Sequence, residues 1–259
     1  MTGEQVYPRY CRPAGLRDRS MWQYTREEAK EHFEWFLTYY EGRIAVLLGY
    51  LGESLTSNPK ADLLRLGNRL AEVLPGERFS FMPTEGSVID FGKGRVLREP
   101  PMQDLTEDGV SLALDMGCLL GKLMLGISPR FRWKLYTEAR TSFDYQWPVV
   151  FDRGTREYSN PVGWSPGSCL GVLHGSPRGG PGSWAWDYER MVRVAAATSP
   201  EEYKIDQARS SLAGIDSYPE DMREDERKRL LNWIAEQEQS LERKRLKQQE
   251  RGRSKGKKG

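Results

Sequence analysis

Two histidines and three cysteines are all that 259 residues offer of the usual metal ligands and soft nucleophiles. Cys11, Cys118 and Cys169 are widely spaced, odd in number and never arranged as CxxC. Neither a disulfide framework nor a zinc site is expected from such a set. No HExxH and no two-His-carboxylate grouping is present, so no metal is expected. Phosphate-binding loops are missing too: "FGKGR" at 91–95 fits neither G-x-G-x-x-G nor GxxxxGK[ST]. These absences argue against an ordinary metallohydrolase, dehydrogenase or kinase, and no cofactor is expected. A carboxylate-based enzyme leaves no motif of this kind.

Long apolar runs are also lacking. The most apolar stretch, "SLALDMGCLLGKLML" at 111–125, is interrupted by Asp115 and Lys122, and a bilayer span needs about twenty residues. The first twenty residues hold no apolar core of the secretory kind. The expectation is a cytoplasmic protein without a membrane partner.

Charge is plentiful and unevenly placed. From Arg243 to the C-terminus nine Lys/Arg stand against the single Glu250, leaving 30 basic and 36 acidic side chains in the preceding 242 residues. A mildly acidic body thus carries a basic tail of Arg243, Lys244, Arg245, Lys247, Arg251, Arg253, Lys255, Lys257 and Lys258. Such a tail attracts phosphates in a salt-sensitive, sequence-independent way, or simply stays solvated.

Helix signals open the chain. Thr25 and Glu28 have capping-box spacing, and Phe33, Leu37, Tyr40, Ile44, Leu47 and Leu51 recur at helical steps, with a kink or break expected at Gly42. Asn58-Pro59 reads as N-cap and first position of a second helix through Leu63, Leu66, Leu70 and Val73. "FSFMP" and "SVIDFGKGRVL" read as short hairpin strands. Thr106, Glu107 and Asp108 open the helix of the apolar stretch. "RFRWKLYTEA", "SFDYQWPVVFD" and "GSCLGVLHG" read as three strands, with Pro148 at an edge or a strand start. Helices from Trp184, from Ser199-Pro200 and from near Pro219 complete the chain.

Helices, then strands, then helices is an α+β order. The expected layout is a flexible segment over 1–20, one α+β domain over 21–215 with a central buried helix and a small antiparallel sheet, a charged helix over 216–250, and a disordered basic tail over 251–259.

Ala113, Gly117 and Gly121 leave one stripe of the central helix nearly bare, which invites close backbone approach. Asp115 there needs a partner, because an ionised carboxylate buried alone costs several kcal/mol. The arginines of "PRFRW" and Arg95 or Arg98 are the expected candidates. A pocket-lining role for Asp115 is the alternative.

Two windows imitate a nucleophile elbow, "GWSPG" around Ser165 and "GSCLG" around Cys169. Pro166 has no N–H to serve an oxyanion after Ser165, and His174 falls on the wrong face for Cys169 at strand spacing. Neither is expected to react. His32 is expected on the surface or at its boundary. Trp133, Trp147, Trp164, Trp184 and Trp186 either fill a core beneath the sheet or form an exposed recognition patch.

"MWQYTREEAKEHFEWFLTYYEGRIAVLLGYLGES", then "SLALDMGCLLGKL", then "FRW", "WPVVF" and "SNPV" resemble a pattern found in a family of uncharacterised bacterial proteins. Its marks are an E-E-A-x-x-x-F-x-W-F helix and an L-A-x-D-x-G-x-x-x-G helix, followed by Trp and Pro-Val strands and an Asn-Pro turn. The likeness spans roughly 21–175. Lys122 stands where the pattern has an acidic residue, which weakens a two-carboxylate site. The resemblance implies a bacterial, cytoplasmic α+β domain and no specific chemistry.

The leading expectation is therefore a non-catalytic protein-binding protein, immunity-like or regulatory, with Asp115, Lys122, Trp133 and Trp164 as binding candidates. An enzyme using carboxylates around Asp115 and nucleic-acid association through the tail are the alternatives.

Overall fold

A computed structural model describes residues 7–16, 19–83, 88–90, 96–98, 102–176, 180–213, 215 and 220–256, with 88–90, 96–98, 221–222 and 248–256 given as backbone alone. The fold is α+β: seven α-helices and three small sheets among the described residues. The chain forms two compact units, one of Met1–Phe151 and Tyr158–Val192, the other of Asp152–Glu157 and Arg193–Gly259.

In the first unit, α1 runs unbroken over Arg26–Leu51, straight through Gly42. The Thr25 hydroxyl accepts from Glu28 N and the Glu28 carboxylate accepts from Thr25 N at 2.7 Å, so two orphan N–H groups are satisfied. Gly52 ends the helix in the left-handed region, with φ of 65°. The buried face is Ala29, His32, Phe36, Tyr40, Arg43, Ile44, Leu47 and Leu51. Its first half lies one residue away from the expected stripe: Leu37 is exposed and Phe33 only half-buried. The true stripe passes through two polar residues, His32 and Arg43, which hides it from an apolar-only reading.

Helix α2, Pro59–Val73, starts where Asn58 Oδ1 accepts from Ala61 N, and it buries Leu63, Leu66 and Leu70. Strands β1 (Ser80–Phe81), β2 (Val88–Asp90), β3 (Val96–Arg98) and β4 (Asp104–Leu105) follow. The expected pairing of "FSFMP" with "SVIDFGKGRVL" is not formed: β2 and β3, both from the second segment, pair antiparallel with each other, Ile89 opposite Leu97, and β1 of "FSFMP" pairs antiparallel with β4.

Helix α3, Glu107–Leu125, is capped by Thr106, whose hydroxyl accepts from Gly109 N at 3.1 Å. It is the central element, packed against α1 and against α4, the helix over Pro161–Leu173. Before α4 come β5 (Phe131–Leu135), β6 (Pro148–Asp152) and β7 (Tyr158–Ser159), in sheet order β5-β6-β7. Pro148 sits at a strand start, where a missing N–H costs least.

The third expected strand, "GSCLGVLHG", is instead helix: it belongs to α4. Asn160 caps that helix, its Oδ1 accepting from Gly163 N at 2.8 Å, and Pro161 takes the first position. Gly163, Gly167, Gly171 and Pro166 lower its intrinsic propensity, so burial against α3 has to hold it. Helix α5 follows over Ser183–Ala196.

The segment expected to be flexible, 1–20, is packed where it is described: Tyr7 is fully buried, and Leu16 and Met21 join Tyr24 and Ala29 in a small core.

The second unit is built on a helical hairpin, α6 (Pro200–Ala213) with α7 (Glu220–Gly256). Ile205 and Ala208 of α6 pack with Ile215 and with Leu230 and Ile234 of α7. That apolar contact groups α6 with α7. Helix α7 continues past residue 250, so residues 251–256 of the expected disordered tail are helical in backbone, and 257–259 lie outside the described residues. A docked helix extends at low cost once nucleated, and Lys, Arg and Gln support it.

Candidate functional site

Asp115 is completely buried, and its partner is Arg43 of α1. The Arg43 guanidinium donates from Nε to Oδ1 at 2.7 Å and from Nη2 to Oδ2 at 2.6 Å, and the Tyr7 hydroxyl also donates to Oδ2. Arg43 further donates to the carbonyls of Pro8 at 2.6 Å and Arg9 at 3.3 Å. The rings of Tyr7, Tyr10 and Tyr39 surround the cation at 5.8–5.9 Å from their centres. The arginine expected from "PRFRW" is not the partner, and the side chains of Arg95 and Arg98 lie outside the described residues. Both carboxylate oxygens are engaged, so the group ties the N-terminal segment to α1 and α3 and offers nothing to a ligand. Burial pushes the Asp115 carboxyl up to about 6, against the opposing pull of Arg43 and Tyr7.

The bare stripe on α3 is used as expected. A Cβ on Gly117 would stand 2.5 Å from the Pro161 carbonyl oxygen, and one on Gly121 would stand 2.1 Å from the Trp133 ring. Trp133 also packs edge-on against Phe36 and Tyr40, at 4.9 and 5.7 Å between ring centres. It is a packing residue. Lys122 is exposed and bridges to Glu41. Lys122 and Trp133 thus meet around Tyr40 and Glu41, on the side of α3 that faces α1.

Trp164 is placed differently. It is 43% exposed, yet its indole N–H donates to Asp144 Oδ1 at 2.9 Å. Asp144 is itself buried and accepts from Asn160 Nδ2 at 2.8 Å and from the Tyr158 hydroxyl at 2.9 Å. Asn160 also caps α4, so one carboxylate joins the sheet, the helix start and the exposed indole. Trp186, 59% exposed, lies with Trp164 on a recess of about 150 Å³. Trp184, Ser168 and Ser183 are among the other residues of its wall, and the Ser183 hydroxyl is buried without a hydrogen-bond partner. Of the five tryptophans, then, Trp184 is core, Trp133 and Trp147 are half-buried, and Trp164 with Trp186 forms the exposed pair.

The elbow look-alikes are inside α4. The Ser165 hydroxyl donates its one proton to Pro161 O at 2.7 Å and accepts from Trp184 Nε1 at 3.1 Å. Cys169 is fully buried, and burial drives its thiol well above the ordinary range.

His32, expected near the surface, is 1% exposed, and neither ring nitrogen has a hydrogen-bond partner. It packs against Trp35 and Tyr24, at 5.4 and 6.0 Å between ring centres. Burial, helped by Arg12, lowers its pKa to about 3.

Within the second unit, Lys244 pairs with Glu201 at 2.7 Å and Arg245 pairs with Glu202, while Arg243 and Lys247 are exposed. Arg251, Arg253 and Lys255 belong to helical backbone, and Lys257 and Lys258 lie outside the described residues. Among the described residues no cluster of His, Cys, Asp or Glu has a metal-holding arrangement, and no helix is long and apolar enough to cross a membrane.

Comparison of the chain with family models, with curated proteins and with solved structures yields no match in any of the three.

Proposed function

We propose that this is a non-catalytic protein-binding protein whose recognition face centres on Trp164 and Trp186. The observation that supports it is the Asp144–Trp164 hydrogen bond at 2.9 Å, which holds a half-exposed indole in one orientation. Single exposed apolar residues are ordinary. Two exposed tryptophans sharing a recess, one of them fixed by a buried carboxylate, are not. Large aromatic side chains with few rotors supply most of the energy in many interfaces, and fixing one beforehand lowers the entropy lost on binding.

The finer reading, a bacterial cytoplasmic protein of the immunity or regulatory kind, rests on the sequence resemblance and on analogy. The rival enzyme reading loses ground because Asp115 is sealed by Arg43 and Tyr7.

The test is affinity capture from the host with the wild-type chain and with Trp164→Ala/Trp186→Ala, followed by quantitative mass spectrometry. The expected result is a protein retained by the wild type and lost from a variant that still melts like the wild type. An identical set of captured proteins from both chains overturns the reading.

A further inference from the structure

The C-terminal half of α7 carries a charge pattern that the tryptophan face does not use. Positions 244, 247, 251 and 255 follow one another at steps of three and four residues, one per helical turn, and all are Lys or Arg. At 1.5 Å rise per residue they share one helix face at a spacing of about 5 to 6 Å. Glu242 and Glu250 fall on other faces by the same count. The first rung, Lys244, is tied to Glu201 of α6, which anchors the ladder to the hairpin. Lys247 is exposed.

We propose that α7 beyond Leu246 binds the phosphate backbone of nucleic acid through the ladder of Lys247, Arg251 and Lys255. Two observations favour this ligand. A regular row of cations matches a ligand whose charges are themselves regularly spaced, and a duplex carries one charge per about 1.7 Å of its axis. Residues 247–256 contain no apolar side chain: they are Lys, Gln, Glu, Arg, Gly and Ser. A helix of that composition has no face to bury in a bilayer, which sets aside an anionic membrane. Cations near a helix C-terminus also favour the helix dipole, but that effect does not depend on which face they occupy. The face dependence is therefore what has to be measured.

The experiment uses the full chain and a short labelled DNA duplex, read by fluorescence anisotropy at rising salt. Three phosphate contacts predict an affinity that falls about forty-fold between about 50 and 200 mM salt. Lys247→Gln/Arg251→Gln leaves one contact and a fall of only about three- to four-fold over the same range, with weak binding at the lower salt. Arg243→Gln/Arg253→Gln removes equal charge from other faces and keeps the wild-type salt dependence. Helicity is checked by circular dichroism in both variants. Absence of wild-type binding at low salt overturns the proposal, as does equal loss from both variants. Tighter binding to phosphatidylserine vesicles than to the duplex also overturns it.

Discussion

Arg43 and Asp115 stand 72 positions apart in the chain and meet through hydrogen bonds of 2.7 and 2.6 Å, both side chains almost wholly removed from water. The pair joins α1 to α3, and through Pro8, Arg9 and Tyr7 it also fastens the N-terminal segment. A buried pair of this kind is costly to break and much less costly to replace whole, because the penalty comes from the charge left behind.

Asp115→Asn is therefore expected to lower the unfolding free energy by about 3 to 5 kcal/mol at neutral pH, by stranding Arg43. Arg43→Met/Asp115→Leu is expected to be less destabilised than either single change. Urea unfolding of the wild type, Asp115→Asn, Arg43→Met, Asp115→Leu and the double variant checks this, and an Asp115→Asn chain as stable as the wild type would remove the pair from the account.

Glycines in two helices should respond with opposite signs. Gly117→Ala drives a methyl to 2.5 Å from the backbone oxygen of Pro161, which cannot move aside without shifting α4. Gly49→Ala, in α1, meets nothing within 4 Å. The first is expected to destabilise by about 1 to 3 kcal/mol as an overpacked contact, and the second to stabilise by up to about 1 kcal/mol. Thermal melts of both variants decide it.

His32 gives the fold a pH dependence. Its pKa falls from 6.5 to about 3 in the folded chain, so between those values the unfolded chain binds the extra proton. Stability should then drop as pH falls through that window, by at most about 1.4 kcal/mol per pH unit for this one group. Asp115 works in the opposite sense between 3.8 and about 6, since its raised pKa makes the folded chain the better proton acceptor there. The comparison is accordingly between wild type and His32→Phe across pH 4 to 7. A steeper loss in acid for the wild type is expected, and parallel curves would contradict it.

Much of the framework can be read from local signals. Thr25 with Glu28, Asn58 with Pro59, and Thr106 with two acids mark three helix starts correctly, because a cap is chemistry between near neighbours. Asn160-Pro161 is the same signal, and it is obscured because three glycines and Pro166 make the following residues look unlike a helix. His32 and Arg43 occupy core positions of α1 that hydrophobic periodicity skips. The Arg43–Asp115 pairing joins residues distant in sequence, and no local rule selects Arg43 over the other arginines. The division into exposed Trp164 and Trp186 and buried Trp184 depends on how α4 and α5 pack, so the five tryptophans look equivalent in the sequence.

The central functional claim is that Asp144 holds Trp164 ready for a protein partner. Calorimetric titration of the captured partner against wild type, Trp164→Ala and Asp144→Asn tests it most directly. The expected result is a loss of at least about 2 kcal/mol for Trp164→Ala, as for an interface anchor, and a smaller but measurable loss for Asp144→Asn. Unchanged affinity in both variants would contradict it.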